Sequence, residues 1–268
     1  METSFLDRGS GRIAYEVAGT GPLVLCVPGM GELRSAYRFL APDLVAAGYR
    51  VAAMDLRGHG DSDDTFDSFD DVAGAEDALA LIGHLGGPAV LVGNSMGAGA
   101  GVWAAAATPA AVAGLVLIGP FVRNPPVNPL LALALRVALV KPWGPAVWAG
   151  YYPKYYPGRR PADFAEHLDR IRASLRRGDH WRSFVRTTRT NHAPAQARLG
   201  QVGTPTLVVM GDRDPDWADP VAEARYVAQA LSGELLLVPG GGHYPMAQYP
   251  EVVGPAVIAF AGRVTGRG

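Results

Sequence analysis

The chain has 268 residues, 49% of them hydrophobic, which is enough for one large domain with its own core, with or without an insertion. The formal net charge of −1 gives no indication of a nucleic-acid surface, and the single cysteine, Cys26, excludes an intrachain disulfide. The N-terminus lacks the apolar stretch of a secretory signal, and the longest apolar run, 130–140, is shorter than the roughly 20 residues of a membrane span. We therefore expect a cytoplasmic protein with no stable membrane insertion.

The first half of the chain alternates between predicted strands and predicted helices. Two short strands at 4–7 and 12–17, joined by a Gly-Ser-Gly turn, are expected to pair antiparallel at one edge of a sheet. Continuous apolar runs predict buried strands, and apolar residues at helical spacing predict the helices between them. These strands lie at 23–27, 50–54, 89–92 and 115–118, and the helices at 36–48, 70–85 and directly after Ser95.

The alternation stops after Gly119-Pro120 and returns near residue 205. Prolines and aromatic residues cluster in the first part of this interval, and basic stretches at 164–177 and 181–189 have helical spacing. We interpret residues 121–204 as an inserted helical cap, in which the apolar run 130–140 buries one face against the core or a ligand. The α/β core then comprises 1–120 and 205–268. Its second part contains predicted strands at 206–210 and 234–238, a helix at 220–231 and a terminal helix opened by Pro250.

A Gly-x-Ser-x-Gly sequence, Gly93 to Gly97, lies where the apolar run 89–92 passes into an Ala-rich helix. A serine at such a junction lies on a sharp turn that exposes its hydroxyl at the carboxyl end of a parallel sheet. Glycines on both sides relieve the crowding of that turn, and the positive end of the following helix favours an oxyanion. Ser95 is therefore a candidate nucleophile.

Candidate acids and a candidate base follow the last two predicted strands. Asp212, Asp214 and Asp216 come after the strand at 206–210, and His243 lies in a Gly-rich loop after the strand at 234–238. Acyl transfer needs a nucleophile, a base and a carboxylate that orients the base. Strand alternation does not choose among the three aspartates, because residues two apart point to the same side. No spacing of residues indicates a metal site or a dinucleotide site.

The chain order serine, acid, histidine, with each residue directly after a predicted strand, resembles the α/β-hydrolase family over nearly the full length. The resemblance implies a mostly parallel, doubly wound sheet with an inserted helical cap. The family pattern Gly-x-x-Asp, counted from Gly211, selects Asp214, which leaves Asp212 as a turn residue and Asp216 as exposed or turn-capping. The resemblance also assigns the backbone N–H groups of Met30 and Met96 to an oxyanion hole.

Two further loops are compared with the family's. The loop before Met30 reads Pro28-Gly29 where the family usually has His-Gly, a departure that removes no N–H donor at Met30. His59 belongs to a turn that resembles the family's Arg-Gly-x-Gly-x-Ser sequence, which is structural there.

By this resemblance we expect a serine hydrolase that cleaves small or medium carboxylic esters through an acyl-enzyme on Ser95, without a metal or other cofactor. The cap would shape the acyl pocket, with Trp143 and Trp148 as candidate substrate contacts. Alternatives that use the same residues are a carbon–carbon bond hydrolase, a lactonase or thioesterase, and a cofactor-free haloperoxidase or perhydrolase. A non-catalytic ligand-binding member of the fold is the alternative from another class. The sequence does not predict the oligomeric state.

Overall fold

The structure, a computed structural model, describes residues 2–125 and 129–267. It contains a sheet of eight strands in the order β1-β2-β4-β3-β5-β6-β7-β8. β2 is antiparallel to both β1 and β4, and the remaining neighbours are parallel. The strands are β1 (Thr3–Asp7), β2 (Arg12–Ala18), β3 (Leu23–Val27), β4 (Arg50–Met54), β5 (Ala89–Asn94), β6 (Val112–Ile118), β7 (Thr206–Gly211) and β8 (Glu234–Val238).

The central strands β3, β5 and β7 are buried along their whole length, as their continuous apolar sequences predict. Apolar clusters cover both faces of the sheet. The helices outside residues 121–204 are α1 (Leu40–Ala46), α2 (Asp71–Leu85), α3 (Met96–Ala107), α9 (Pro220–Ala230), α10 (Pro245–Gln248) and α11 (Pro250–Thr265). This doubly wound arrangement confirms the predicted α/β-hydrolase fold.

The helix expected at 36–48 is split in two. A 3₁₀ turn at Arg34–Tyr37 precedes α1, which begins only at Leu40. By contrast, α2 begins one residue after Asp70, whose side chain accepts a hydrogen bond of 2.9 Å from the N–H of Ala73. An N-cap of this kind satisfies a donor that a helix start otherwise leaves open.

The segment 121–204 lies between β6 and β7 and is helical in its described part; we call it the helical insertion. Its helices are α4 (Pro129–Ala138), α5 (Gly144–Tyr151), α6 (Phe164–Leu175), α7 (His180–Thr187) and α8 (Ala193–Gln196). The two predicted basic helices correspond to α6 and α7. Burial of the run 130–140 against the core is wrong for side chains such as Leu133 and Val137, which are exposed. Burial of this run against a ligand stays a prediction. That the helical insertion forms a cap domain separate from the core remains a prediction.

No helix in the described ranges is long and apolar enough to span a bilayer.

Candidate active site

Ser95 lies at the turn between β5 and α3 in a backbone conformation that few non-glycine residues adopt. Its φ of 56° and ψ of −120° place it outside the common regions. Such a conformation costs free energy and persists only where the surrounding structure fixes it. The N–H of Ser95 donates to Ile118 O at 2.9 Å, and its carbonyl accepts from Phe121 N at 3.2 Å, so β6 and the chain after it hold the turn.

The glycines that flank Ser95 are required by close backbone contacts. A Cβ atom on Gly93 would lie 2.3 Å from Gly97 O, and one on Gly97 would lie 2.3 Å from Val27 O. Both distances are far below van der Waals contact, so side chains at these positions would force the turn apart. The turn therefore depends on its Gly-x-Ser-x-Gly sequence for steric reasons, as the sequence predicts.

Asp214 and His243 form a buried hydrogen-bonded pair. Asp214 Oδ2 accepts from His243 Nδ1 at 2.7 Å, and each residue is only 2% exposed. A neutral histidine that donates from Nδ1 keeps Nε2 as an acceptor, the state that a general base requires. Asn94, next to Ser95, donates to His243 O at 3.2 Å, which ties the histidine loop to the serine turn.

Asp216 is a second carboxylate at the same imidazole, which the sequence did not predict. Its Oδ2 lies 3.5 Å from His243 Nδ1, its side chain is 18% exposed, and its N–H donates to Asp214 Oδ1. The expectation that Asp216 is exposed or only caps a turn is therefore wrong. Asp212 accepts from Gly240 N at 2.7 Å and so joins the two loops that carry the acid and the histidine, instead of bonding its own turn.

The two carboxylates dominate the electrostatics of His243. Burial alone would lower the pKa of His243, but the charges of Asp214 and Asp216 outweigh it and raise the pKa to about 9. Burial raises the pKa of Asp216 to about 6, with repulsion from Asp214 adding to it and attraction to His243 opposing it. Near neutral pH the His243 imidazole therefore favours its protonated form more than an isolated histidine does.

The loop after β3 lies against Ser95. A Cβ atom on Gly29 would lie 2.7 Å from Ser95 Cβ, so only glycine allows this approach. The N–H of Gly31 donates to His59 Nε2 at 2.9 Å, and Glu32 N–H donates to Gly29 O. Within the described residues, the intervening Met30 N–H has no protein acceptor.

His59 holds this loop through hydrogen bonds of both ring nitrogens. Its Nδ1 hydrogen-bonds Arg57 O at 2.9 Å, and its Nε2 accepts from Gly31. Burial lowers the pKa of His59 to about 4, which keeps the ring neutral and lets Nε2 accept. Met96, the other predicted oxyanion donor, is buried at the first position of α3.

The helical insertion covers the pair of Asp214 and His243. Tyr155 O accepts from His243 N at 3.0 Å, and the Tyr155 ring lies 5.2 Å from the imidazole, centre to centre. Phe121 lies 6.0 Å from it on another side. Ser95 as a whole residue is 7% exposed, so the fold leaves little of it open to solvent.

The two tryptophans proposed as substrate contacts have different surroundings. Trp148 is buried, packs 4.7 Å from the Phe184 ring and lies close to Gly31, and its Nε1 has no hydrogen-bond partner in the described part of the chain. Trp143 is half exposed and donates to Val137 O, a contact within the insertion and not with Ser95, Asp214 or His243.

A buried ion pair that the sequence did not indicate joins the core to the insertion. Glu32 Oε1 lies 2.8 Å from His167 Nε2 and accepts from Leu33 N, and Glu32 Oε2 accepts from Tyr152. Both Glu32 and His167 are fully buried. They are 135 positions apart in the chain, so no local pattern could have revealed the pair.

Asp214, Asp216 and His243 are also the cluster in the described residues whose ligand atoms lie close enough to hold a metal, within 4.8 Å of one another. The hydrogen bond between Asp214 and His243 already uses two of those atoms. The arrangement matches an acid that orients a base, and binding a cation there would displace that bond.

The comparison with protein families gives one decisive match. The model of the alpha/beta hydrolase family matches residues 24–256, which is most of the chain. The chain belongs to the alpha/beta hydrolase family.

Individual relatives support hydrolase chemistry and differ in the bond they act on. The chain is 29% identical over 266 residues to a Variovorax paradoxus protein named as a carbamate hydrolase, RutD, covering 95% of this chain and 97% of that one. It is 29% identical to the monoacylglycerol lipase of Mycolicibacterium smegmatis, covering 90% and 89%. A thermophilic esterase from Thermogutta terrifontis superimposes with a TM-score of 0.79 at 25% identity, covering 99% and 100%.

Proposed function

We propose that the protein is a serine hydrolase that cleaves a carboxylic ester through an acyl-enzyme on Ser95. The observation that carries the proposal is the positive-φ Ser95 at the start of α3, whose neighbour Asn94 donates to His243 O in the buried pair of Asp214 and His243. A strained serine at a strand–helix turn, together with an oriented histidine, is the arrangement that nucleophilic acyl transfer requires.

In the proposed mechanism, His243 Nε2 takes the proton of the Ser95 hydroxyl as its oxygen attacks the carbonyl carbon. The N–H groups of Met30 and Met96 stabilise the resulting oxyanion. His243 then gives its proton to the leaving alcohol, and the acyl group remains on Ser95. Water, deprotonated by His243, attacks the acyl-enzyme through a second tetrahedral intermediate, which releases the acid and restores the serine.

Asp214 has the role of orienting His243 and stabilising its charged form. Its hydrogen bond to Nδ1 selects the tautomer in which Nε2 can accept a proton. The buried environment strengthens this charge interaction relative to water. Near Gly31, Trp148 offers an indole N–H to a polar group of the substrate, and the surrounding aromatic rings favour an apolar acyl or alcohol portion.

Ester specificity draws support from the relatives named as a lipase and an esterase. A second candidate substrate class, carbamates, draws support from the relative named as a carbamate hydrolase. A panel of p-nitrophenyl esters of graded acyl length, with a p-nitrophenyl carbamate beside them, distinguishes the two by kcat/KM. A higher kcat/KM on the carbamate than on every ester would contradict the ester assignment.

Ser95→Ala tests the nucleophile. We expect it to abolish labelling by a fluorophosphonate probe and to lower kcat on the best ester by at least about a thousandfold, with the fold intact by circular dichroism. Ser174→Ala is the matched control, because Ser174 is equally buried and its hydroxyl only accepts from Gly60 N. Labelling that survives in Ser95→Ala would refute the proposal.

A further inference from the structure

The helical insertion carries a charge very different from that of the whole chain. Residues 121–204 contain fourteen Lys or Arg and four Asp or Glu, a formal charge of +10, whereas the whole chain has −1. The rest of the protein therefore carries −11. The near-neutral total conceals a strongly basic insertion on an acidic core, and such an asymmetry favours contact with an anionic surface.

The same insertion also carries the main exposed apolar surface of the described chain. Six large apolar side chains in α4, in α5 and in the segment that joins them are 43% to 58% exposed: Leu133, Leu135, Val137, Val140, Trp143 and Val147. Outside residues 121–204, the large apolar side chains found with comparable exposure are Phe5 and Val252. We call the six exposed apolar side chains of the insertion the α4 ridge. Trp143 donates to Val137 O, so these two members lie next to each other, and exposed apolar surface of this kind marks an interaction site.

Basic groups lie directly beside the α4 ridge. A groove of about 570 Å³ between the segment after α4 and helix α7 is lined by Lys141, Arg182, Arg186 and Arg189, with Asp179 as the acidic residue. Asp179 lies 3.6 Å from Arg182, and Arg186 donates to Asp67 O, so these two cations are partly engaged. Lys141 and Arg189 thus border the ridge as the cations most open to an external anion.

We propose that the α4 ridge and its basic border bind the surface of a membrane that contains anionic phospholipids. Apolar side chains including a tryptophan, next to Lys and Arg, are the combination that inserts at the boundary between acyl chains and negative headgroups. Each nearby cation adds electrostatic attraction to such a leaflet. This binding is peripheral and does not depend on the proposed ester hydrolysis.

Charge argues against the other occupants of the ridge. A symmetric dimer through this face would place the same patch against itself and bring two basic insertions together. A nucleic acid would satisfy the cations but leave the leucines and valines exposed to water. An acidic protein would satisfy the cations as well, and the experiment distinguishes it from lipid.

Vesicle flotation at low salt tests the proposal. We expect the protein to float with vesicles of phosphatidylcholine that contain about one-third phosphatidylglycerol, to bind pure phosphatidylcholine vesicles at least tenfold more weakly, and to be released by added salt. The double variants Leu133→Ser/Val137→Ser and Lys141→Glu/Arg189→Glu should each lower the affinity for the anionic vesicles by about tenfold or more.

Matched controls separate the ridge from general surface effects. Val252→Ser removes an exposed apolar side chain on α11, and Arg225→Glu reverses an exposed charge on α9; both should bind like the wild type. Fluorophosphonate labelling of each variant reports Ser95 separately, so a failure to bind vesicles is distinguishable from a failure of the proposed hydrolase.

Three results would overturn the proposal. The first is no preference for anionic over neutral vesicles, including no binding to either, or wild-type binding by either double variant. The second is a wild-type dimer in light scattering that Leu133→Ser/Val137→Ser converts to a monomer, which would make a second copy the occupant. The third is binding to polyglutamate that matches vesicle binding and is unaffected by Leu133→Ser/Val137→Ser, which would mean that the surface recognises acidic polypeptide by charge alone.

Discussion

At the scale of single residues, two carboxylates face the same nitrogen of His243 and have different geometry. Asp214 is at 2.7 Å in a direct hydrogen bond, whereas Asp216 is at 3.5 Å. A direct hydrogen bond fixes the tautomer and the ring direction, whereas a charge slightly farther away changes mainly the proton affinity. We therefore assign orientation to Asp214 and pKa control to Asp216. Glu32, in the loop after β3, adds a weaker attraction that also raises the pKa of His243.

Asp216→Asn should move the acid limb of the kcat/KM–pH profile to lower pH by about one unit. The base acts only when His243 is neutral, and Asp216 raises the pKa of that histidine to about 9 together with Asp214. Asp216 is ionised above about pH 6, so the variant should exceed the wild type between about pH 6 and 9 and match it above that range. Initial rates across pH on a soluble ester measure this.

The other two aspartates provide the comparison. Asp214→Asn should lower kcat by orders of magnitude at every pH, because the amide favours the wrong tautomer of His243. Asp212→Asn should leave the profile unchanged, since Asp212 bonds only Gly240 in the neighbouring loop. If Asp216→Asn reduced kcat as severely as Asp214→Asn, the division of roles between the two carboxylates would be wrong.

At the scale of elements, the strand–turn–helix around Ser95 was predictable because its determinants are local. The apolar run of β5, the glycines at 93 and 97 and the Ala-rich α3 are contiguous in sequence. The role of Asp216 was not predictable, because residues two apart share a direction and only the fold of the loop decides which one meets His243. The exposure of α4 was not predictable either, since periodicity identifies an apolar face but not whether anything covers it.

Trp148→Phe tests whether the insertion contacts the substrate. The indole N–H of Trp148 has no acceptor among the described residues, so its loss removes no protein hydrogen bond. If it binds a substrate acceptor, the variant should raise KM by roughly 3- to 10-fold, and its melting temperature should fall only by the effect of the smaller ring. Steady-state kinetics on esters of graded length, alongside thermal unfolding, provide both measurements.

Trp181→Phe is the matched control for that substitution. Trp181 lies in the same aromatic cluster, 5.1 Å from Phe184, but its Nε1 donates to Leu139 O at 3.1 Å. The same change should therefore lower the melting temperature, because a carbonyl loses its donor, and leave KM unchanged. Equal effects of the two variants on KM would show that Trp148 acts only through packing.

At the scale of the whole molecule, the sequence predicted the identity and order of the strands along the chain, because each buried strand is a separate apolar run. It did not predict which strands are neighbours, beyond the β1–β2 pair, since that depends on packing between distant segments. Contacts between core and insertion were unpredictable for the same reason. Glu32 and His167 look like ordinary polar residues until the fold buries them together.

Glu32→Gln should destabilise the whole protein by about 3 kcal/mol, because it leaves the buried His167 and Tyr152 without their carboxylate partner. Burial alone would raise the pKa of Glu32, but the charge of His167 and three hydrogen bonds outweigh it and hold the pKa below its ordinary value of 4.5. A depressed folded pKa adds stability that is complete above about pH 4.5 and is lost as pH falls through the folded value. The difference in unfolding free energy between variant and wild type should therefore have its largest value near pH 7 and decrease as the pH is lowered. Urea unfolding at several pH values measures it.

Glu234→Gln is the control, because its partner Arg263 and Glu234 itself are both about half exposed, and its cost should stay below about 1 kcal/mol. Equal unfolding free energies for the two variants would mean that the Glu32–His167 pair does not hold the insertion to the core.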